Sequence, residues 1–457
     1  VIYGLGAFVN NTLADAIGRM MIVLNLGLGM SPALVGLLGA LPRLTDALTD
    51  PLMGYASDNT RTRWGRRRPY IFVGAISVAI VFTLLWQLPP GKSEGWYFWY
   101  FLGGSLIFFL AYTVYATPWV ALGYELTPDY HERTRLMGVQ NFFGNIAYMI
   151  SPYFLAIMYL PRFGDVVTGA GYLAMVIAVV VICLGLLPAI FLRERFKDVT
   201  TEDGESKGSG VWYVVKDFFV GFGKALSFKP FLKLCIATFL VFNGFILIAA
   251  FQSYVIIYYV FEGDQAAGSV FVGHSGLVQA LSALIVIGIV TFLATKIGKR
   301  RAFYVSTGIS MVGYILKWFC YTPDNPWLVL IPAPLMAFGL AGLFTLMPSM
   351  VADVVDADEL NTHERREGMY GSIFWWVVKL GQSAAILGGG LLLVWTGFDV
   401  ELGANQTAEA IRLMRLCDAI VPAAASAVAI WAIASYSITE EKAHDVRMQL
   451  EARRGAV

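Results

Sequence analysis

The sequence predicts an all-α membrane protein of about twelve transmembrane helices in two pseudo-symmetric six-helix halves. Three observations carry that reading: the ratio of apolar to charged residues, the recurrence of apolar stretches long enough to cross a bilayer, and a short motif repeated at corresponding places. Hydrophobic residues make up 57% of the chain and charged residues 14%, against about 25% charged in a soluble domain. The mean hydropathy is +0.64. Such a chain cannot wet its whole exterior, so lipid must cover much of it. The formal net charge of +1 argues against a nucleic-acid partner. The four cysteines (Cys183, Cys235, Cys320, Cys417) lie in or beside apolar segments without CxxC spacing. They read as small packing residues, not as a metal or disulfide framework.

A helical span needs about 20 mostly apolar residues. Taken in order, such stretches lie at 2–27, 32–56, 69–88, 96–123, 137–160, 169–192, 229–260, 268–295, 302–321, 326–354, 369–396 and 409–436. The first leads straight into the second, so it reads as a span and not as a cleavable signal. Several exceed the minimum length, which implies tilt or extension past the bilayer. Lys and Arg collect after every second span: Arg61, Arg63, Arg66, Arg67 and Arg68, then Lys296, Lys299, Arg300 and Arg301, then Arg365 and Arg366, and last the tail with Lys442, Arg447, Arg453 and Arg454. The opposite loops are nearly bare, Lys92 and Arg162 excepted. The even-numbered connections and both termini are therefore expected in the cytoplasm. The expected organisation is an N-terminal half at 1–192, a linker at 193–228, a C-terminal half at 229–436 and a tail at 437–457. The linker is polar in its middle, and Val211–Leu226 turns amphipathic, as suits a helix on the membrane face.

The halves resemble each other where loops meet helices. His131-Glu132-Arg133 precedes span 5 and is followed by Gly138 and Phe142-Phe143; His363-Glu364-Arg365 precedes span 11 and is followed by Gly371 and Phe374-Trp375. Placement at the same loop of both halves favours duplication, and two six-span halves are a transporter architecture. Neither tripeptide has H-E-x-x-H spacing, so the histidines read as loop or capping residues and not as metal ligands.

Ionisable residues inside spans are costly and usually face a bundle interior. Span 2 holds Arg43, Asp46 and Asp50, with the two aspartates four apart on one helix face and Thr49 beside them. Pro51 has no N–H, which releases the carbonyl of Ala47. Two carboxylates, a hydroxyl and a carbonyl suit a small cation such as Na+ at Asp46 and Asp50; close carboxylates equally suit a shared proton. In the competing reading Asp46 pairs with Arg43 and Asp50 caps the helix end. Lys379 in span 11 needs a carboxylate partner, or snorkels to the surface. Asp15 and Arg19, four apart in span 1, are expected to pair structurally, and Lys317 is expected near an interface.

At these residues the chain resembles the glycoside–pentoside–hexuronide:cation symporters of the major facilitator superfamily, the melibiose-permease-like group. The resemblance rests on Tyr3-Gly4-Leu5-Gly6-Ala7-Phe8, on Arg43-Leu44-Thr45-Asp46-Ala47-Leu48-Thr49-Asp50-Pro51-Leu52-Met53-Gly54, on Arg61-Thr62-Arg63-Trp64-Gly65, on Val351-Ala352-Asp353 and on Lys379, and it runs nearly end to end. The run Gly65-Arg66-Arg67-Arg68-Pro69-Tyr70-Ile71 is also similar to plant sucrose symporters. The resemblance implies a bacterial inner-membrane symporter working by alternating access, with Asp46, Thr49, Asp50 and Thr113 as cation ligands and Lys379 and Arg43 balancing charge. Thr49 stands where the family's type member has an asparagine, which leaves Na+ against H+ open. The charged sugar anchors of that group are replaced here by Asn10, Asn11, Ala116 and Asn141, and its span 10 tryptophan by Phe344. Asparagine both donates and accepts, so an uncharged, hydroxylated solute such as a sugar or glycoside is expected at the midplane between the halves. Tyr115, Trp119, Trp375 and Trp376 can stack on a sugar face or simply pack. Arg63, Arg66 and Arg67, with Asp353, are expected at a cytoplasmic gate. No cofactor beyond a coupling cation, Na+ or H+, is expected, and the chain is expected to work as a monomer in the bilayer. A lysolipid symporter of the same fold is the nearest alternative. A non-transporting sensor or an intramembrane enzyme is disfavoured, because no nucleophile–base pair, zinc spacing or P-loop is present.

Overall fold

The computed structural model describes residues 1–60, 62–126, 130–194, 223, 225–362 and 367–454. Among them there is no strand. The helices are α1 (Ile2–Met20), α2 (Ile22–Leu26), α3 (Pro32–Asn59), α4 (Arg68–Leu85), α5 (Glu94–Glu125), α6 (Tyr130–Ile150), α7 (Phe154–Met158), α8 (Val166–Phe191), α9 (Lys229–Val255), α10 (Gln265–Ile297), α11 (Lys299–Cys320), α12 (Pro332–Thr362), α13 (Glu367–Trp395), α14 (Ala408–Ala434) and α15 (Glu440–Arg454). Each of the expected spans falls on one of these helices or on two in succession. By length and hydropathy alone, eight of the described helices qualify as membrane-crossing.

Four spans are less regular than their sequence periodicity implies, span 10 because it opens in a 3-10 turn at Pro326–Leu330 before α12. Span 1 breaks at Met21, between α1 and α2. Span 5 passes through a single 3-10 turn at Ser151–Tyr153 before α7. Pro152 sits there, and a residue without an N–H cannot continue the α ladder. Span 7 ends in a π turn at Ile256–Val260.

The chain falls into two compact units. The first comprises Val1–Val215, Gln265–Leu277 and Asp399–Gly403; the second comprises Lys216–Asp264, Val278–Phe398 and Ala404–Val457. In the first, α1 packs on α6 and α8, α4 on α5 and α8, and α3 on α5. In the second, α9 packs on α13 and α14, and α11 on α12 and α14. Counting α9 as the equivalent of α1, four pairings repeat from one unit to the other, as duplication requires. The first turns of α10 depart from the expected division, because they group with the first unit. Their contacts explain it: Tyr159 Oη donates to Gln265 Oε1 at 2.5 Å, Tyr153 Oη lies 2.8 Å from His274 Nδ1, and the Pro152 ring fills the space beside Gly276.

Lipid tails are as apolar as leucine, so helices in a membrane associate through close van der Waals packing and polar contacts instead of hydrophobic expulsion. Gly74 shows how close: a Cβ there would stand 2.6 Å from the Tyr115 backbone nitrogen, so α4 and α5 touch backbone to backbone. Lys317 lies in the last turn of α11, where its side chain is buried inside the protein. It is 2% exposed and pairs at 2.5 Å with the equally buried Asp418, joining α11 to α14. Its Nζ also lies 5.2 Å from the Tyr321 ring centroid. A charge this deep is held only by a partner of opposite sign.

Candidate functional site

In the first unit, α3 and α5 run side by side and bring polar side chains from each into one cluster. Thr113 Oγ1 donates to Asp50 Oδ1 at 3.1 Å, and Thr117 Oγ1 donates to the same oxygen at 3.3 Å. The hydroxyls of Thr49 and Thr113 lie 3.4 Å apart, and Thr49 donates to the carbonyl of Thr45 at 3.1 Å. Thr113 is buried, while Asp50 and Thr49 are half-buried. One carboxylate thus meets two hydroxyl oxygens, with the Thr49 hydroxyl 3.4 Å from one of them, a set of hard oxygen ligands suited to a small cation or to a proton. Thr117 was absent from the residues expected here. Its signal was its place one helical turn after Thr113 on α5. The side chain of Asp46 lies outside the described residues.

A second polar group lies on α1. Tyr112 Oη donates to Asn10 Oδ1 at 2.9 Å, and Asn10 Nδ2 donates to Asn11 Oδ1 at 3.1 Å. The two amides are therefore aligned by α5. Asp15 and Arg19 pair as expected, Arg19 Nε donating to Asp15 Oδ2 at 2.5 Å, and the Ser151 hydroxyl donates to that same carboxylate oxygen. Arg43 reaches α1: its Nη2 donates to the Ala14 carbonyl at 3.3 Å, and its guanidinium stands 5.5 Å from the Phe109 ring centroid.

The aromatic candidates divide. Tyr115 is fully buried and its hydroxyl donates to the Gly6 carbonyl at 3.3 Å; Trp119 stacks on Tyr3 with ring centroids 5.0 Å apart. Both are engaged in packing. In the second unit Phe344 stacks on Trp375 at 6.0 Å, with Trp375 53% exposed and Trp376 half-buried. Asn141 is exposed on α6, where its carbonyl accepts from Asn145 Nδ2 at 2.8 Å. Lys379 is half-buried on α13 in the second unit.

Of the expected gate residues, Arg63 is exposed. Arg66 and Arg67 belong to an anion-binding turn. Their backbone amides and that of Arg68 all donate to the Glu194 carboxylate, at 2.6, 2.8 and 2.9 Å. Gly65 makes room: its φ of +112° suits glycine, and a Cβ there would fall 2.5 Å from the Glu194 carboxyl carbon. These amides also open α4, so a helix N-terminus adds to the hold on the anion. Arg67 Nη1 donates onward to the Ala121 carbonyl at 2.7 Å and Arg68 Nε to Ala189 at 2.6 Å. In the second unit Asp353 accepts from Lys299 at 2.7 Å. His131, Glu132 and Arg133 have side chains outside the described residues, as has all of His363–Arg366.

A sequence profile of the family described as MFS/sugar transport protein matches residues 3–440. An uncharacterized symporter of Synechocystis is 27% identical, over 93% of this chain and 91% of its own. The isoprimeverose transporter of Lactiplantibacillus pentosus is 25% identical, over 90% of this chain and 82% of its own. The fold is similar to the crystal structure of a bacterial homologue of the human lysosomal transporter Spinster, inward-facing and unoccupied. Its TM-score is 0.64 at 16% identity, covering 100% of this chain and 97% of that one, a likeness of fold alone. The family profile, the symporter relatives and the Arg43–Gly54 resemblance agree, and the chain belongs to the MFS/sugar transport protein family, a family of membrane transporters and not of enzymes.

Proposed function

We propose that the chain is a cation-coupled secondary symporter that imports a sugar, glycoside or oligosaccharide by alternating access. The observation that carries the reading is the Asp50 carboxylate accepting from the hydroxyls of Thr113 and Thr117, with the Thr49 hydroxyl beside that of Thr113. In this reading these groups, with Asp46, take the coupling cation, and Lys379 and Arg43 balance the carboxylates when the cation has left. Asn10 and Asn11, aligned through Tyr112, bind the solute through hydroxyl hydrogen bonds. The protein works as a monomer in the inner membrane with both termini in the cytoplasm. The similarity to an isoprimeverose transporter supports a sugar-type solute.

Binding of one ligand must tighten the other by the same factor, because coupling is reciprocal. A hydrogen bond to a charged group is worth about 1.5–3 kcal/mol, so Thr117→Ala weakens cation dependence by roughly tenfold or more. The test is sugar accumulation in membrane vesicles under an imposed Na+ gradient and, separately, an imposed pH gradient. Wild type accumulates sugar under one gradient, Thr117→Ala needs more cation for half-maximal uptake, and Asp50→Asn equilibrates sugar without accumulating it. Accumulation by Asp50→Asn equal to wild type refutes the cation assignment. Gradient-driven uptake of a lysolipid with no sugar uptake refutes the solute class.

A further inference from the structure

The first span carries a polar face that the cation cluster does not use. Along α1, Val9, Thr12, Leu13, Ala16, Ile17 and Met20 are buried. The residues left accessible between them are Asn10, Asn11, Ala14, Asp15, Gly18 and Arg19. This inverts the pattern of a lipid-facing span, whose outward residues are apolar. A polar, accessible face on a helix of a membrane transporter faces water or solute, and ionisable groups on such a face mark a substrate path.

Asn11, Asp15 and Arg19 are spaced four apart, so they form one stripe along the helix. At 1.5 Å per residue the stripe runs roughly 12 Å, longer than a single pyranose ring. Its far end is rigidly built. Asp15 Oδ2 accepts from both Arg19 Nε and the Ser151 hydroxyl, which fixes the guanidinium plane. Arg19 keeps 35% of its side chain accessible and Asp15 23%. A guanidinium has five N–H donors in a fixed fork, and a carboxylate has acceptor sites beyond the two used here. Adjacent donor and acceptor groups of this kind match vicinal hydroxyls. Arg43, bonded to the Ala14 carbonyl, lies beside the same stretch.

We infer that Asp15 and Arg19 form a second sugar subsite, one to two turns beyond Asn10 and Asn11, and that the solute is therefore at least a disaccharide. The near ring is held by the two amides and the distal ring by the Asp15–Arg19 pair, with Ser151 as a positioning residue. This inference rests on the sugar-symporter reading above and narrows its substrate class.

The experiment measures binding of purified full-length protein, in the presence of the coupling cation, to a panel of monosaccharides and the disaccharides that contain them. The subsite predicts that disaccharides bind wild type more tightly. It also predicts that Arg19→Gln weakens disaccharides by roughly tenfold and leaves monosaccharides unchanged. Ser151→Ala, a smaller change, lowers the disaccharide-to-monosaccharide affinity ratio in the same direction and serves where Arg19→Gln does not fold. Wild type that prefers monosaccharides, or variants that weaken both classes equally, overturn the subsite and leave the symporter reading standing. Wild type that binds no sugar overturns both.

Discussion

Substituting Gly74 by alanine probes how closely the polar cluster around Asp50 depends on helix spacing. The added Cβ would lie 2.6 Å from the Tyr115 nitrogen, 2.7 Å from its Cα and 2.9 Å from the Val114 carbonyl carbon. Normal contacts begin at about 3.5 Å, and backbone atoms cannot rotate away as a side chain can. Helices α4 and α5 must therefore part by roughly 1 Å, and overpacking of that kind costs about 1–3 kcal/mol. Tyr115 lies between Thr113 and Thr117, so the displaced segment is the one that supplies two of the hydroxyls on Asp50. The expected outcome is a lower melting temperature in detergent together with weaker cation-dependent sugar binding. Gly138→Ala is the control: nothing lies within 4 Å of a Cβ at that position. Its change is expected to be neutral or stabilising by up to about 1 kcal/mol, the helix preference of alanine over glycine. A Gly74→Ala protein that melts and binds like the Gly138→Ala control refutes the argument that backbone contact sets this spacing.

Lys317→Met leaves Asp418 as a lone buried charge and should destabilise by about 3–5 kcal/mol, whereas the double variant Lys317→Met with Asp418→Leu should recover most of the loss; a double variant no more stable than the single one defeats this reading of the pair. Asp165 caps α8, accepting from the Thr168 hydroxyl and from the amides of Thr168 and Val167, and these bonds hold its carboxyl below the ordinary 3.8. Because that value is depressed on folding, the stabilisation is present above the ordinary value and is lost as pH falls through the folded one. Asp165→Ala should thus cost about 1 kcal/mol at neutral pH, with the melting gap to wild type constant to pH 5 and closing below about pH 4; a gap that widens on acidification contradicts it. Glu194→Ala frees three amides at the head of α4, and limited trypsinolysis after Arg66 or Arg67 should speed up at least tenfold, since each charge-assisted bond is worth about 1.5–3 kcal/mol; unchanged cleavage would show that the turn holds its shape alone.

The sequence conveyed the number and type of elements well because apolar length and loop charge are local properties. The expected Asp50, Thr49 and Thr113, the last named through resemblance, lie together in the structure. Thr117 was missed, although the four-residue spacing to Thr113 was visible. Tyr115 and Trp119 could not be sorted from solute-facing aromatics, since their helix is apolar all round and periodicity does not say which face is packed. The partner of Lys317 was not legible because Asp418 stands 101 residues away, and pairing at that distance is a tertiary fact. The Glu194 turn was likewise hidden: the basic run was legible as charge, but its function as an anion cradle depends on the backbone at Gly65. The early turns of α10 joined the first unit through Tyr153, Tyr159 and Pro152, contacts no local pattern encodes.

The same Glu194 contact sets a schedule for biosynthesis. Its carboxylate is made 128 residues after the Arg66 amide that it captures. At about 5–20 residues per second, the turn between α3 and α4 must wait roughly 6–26 s on the ribosome before its acceptor emerges. During that interval water or lipid headgroups must satisfy three aligned amides amid a cluster of arginines. The last span of the first half thus delivers, at its trailing end, the residue that closes the first half's earliest basic turn, and the unit is completed only later, when Gln265–Leu277 and Asp399–Gly403 are made.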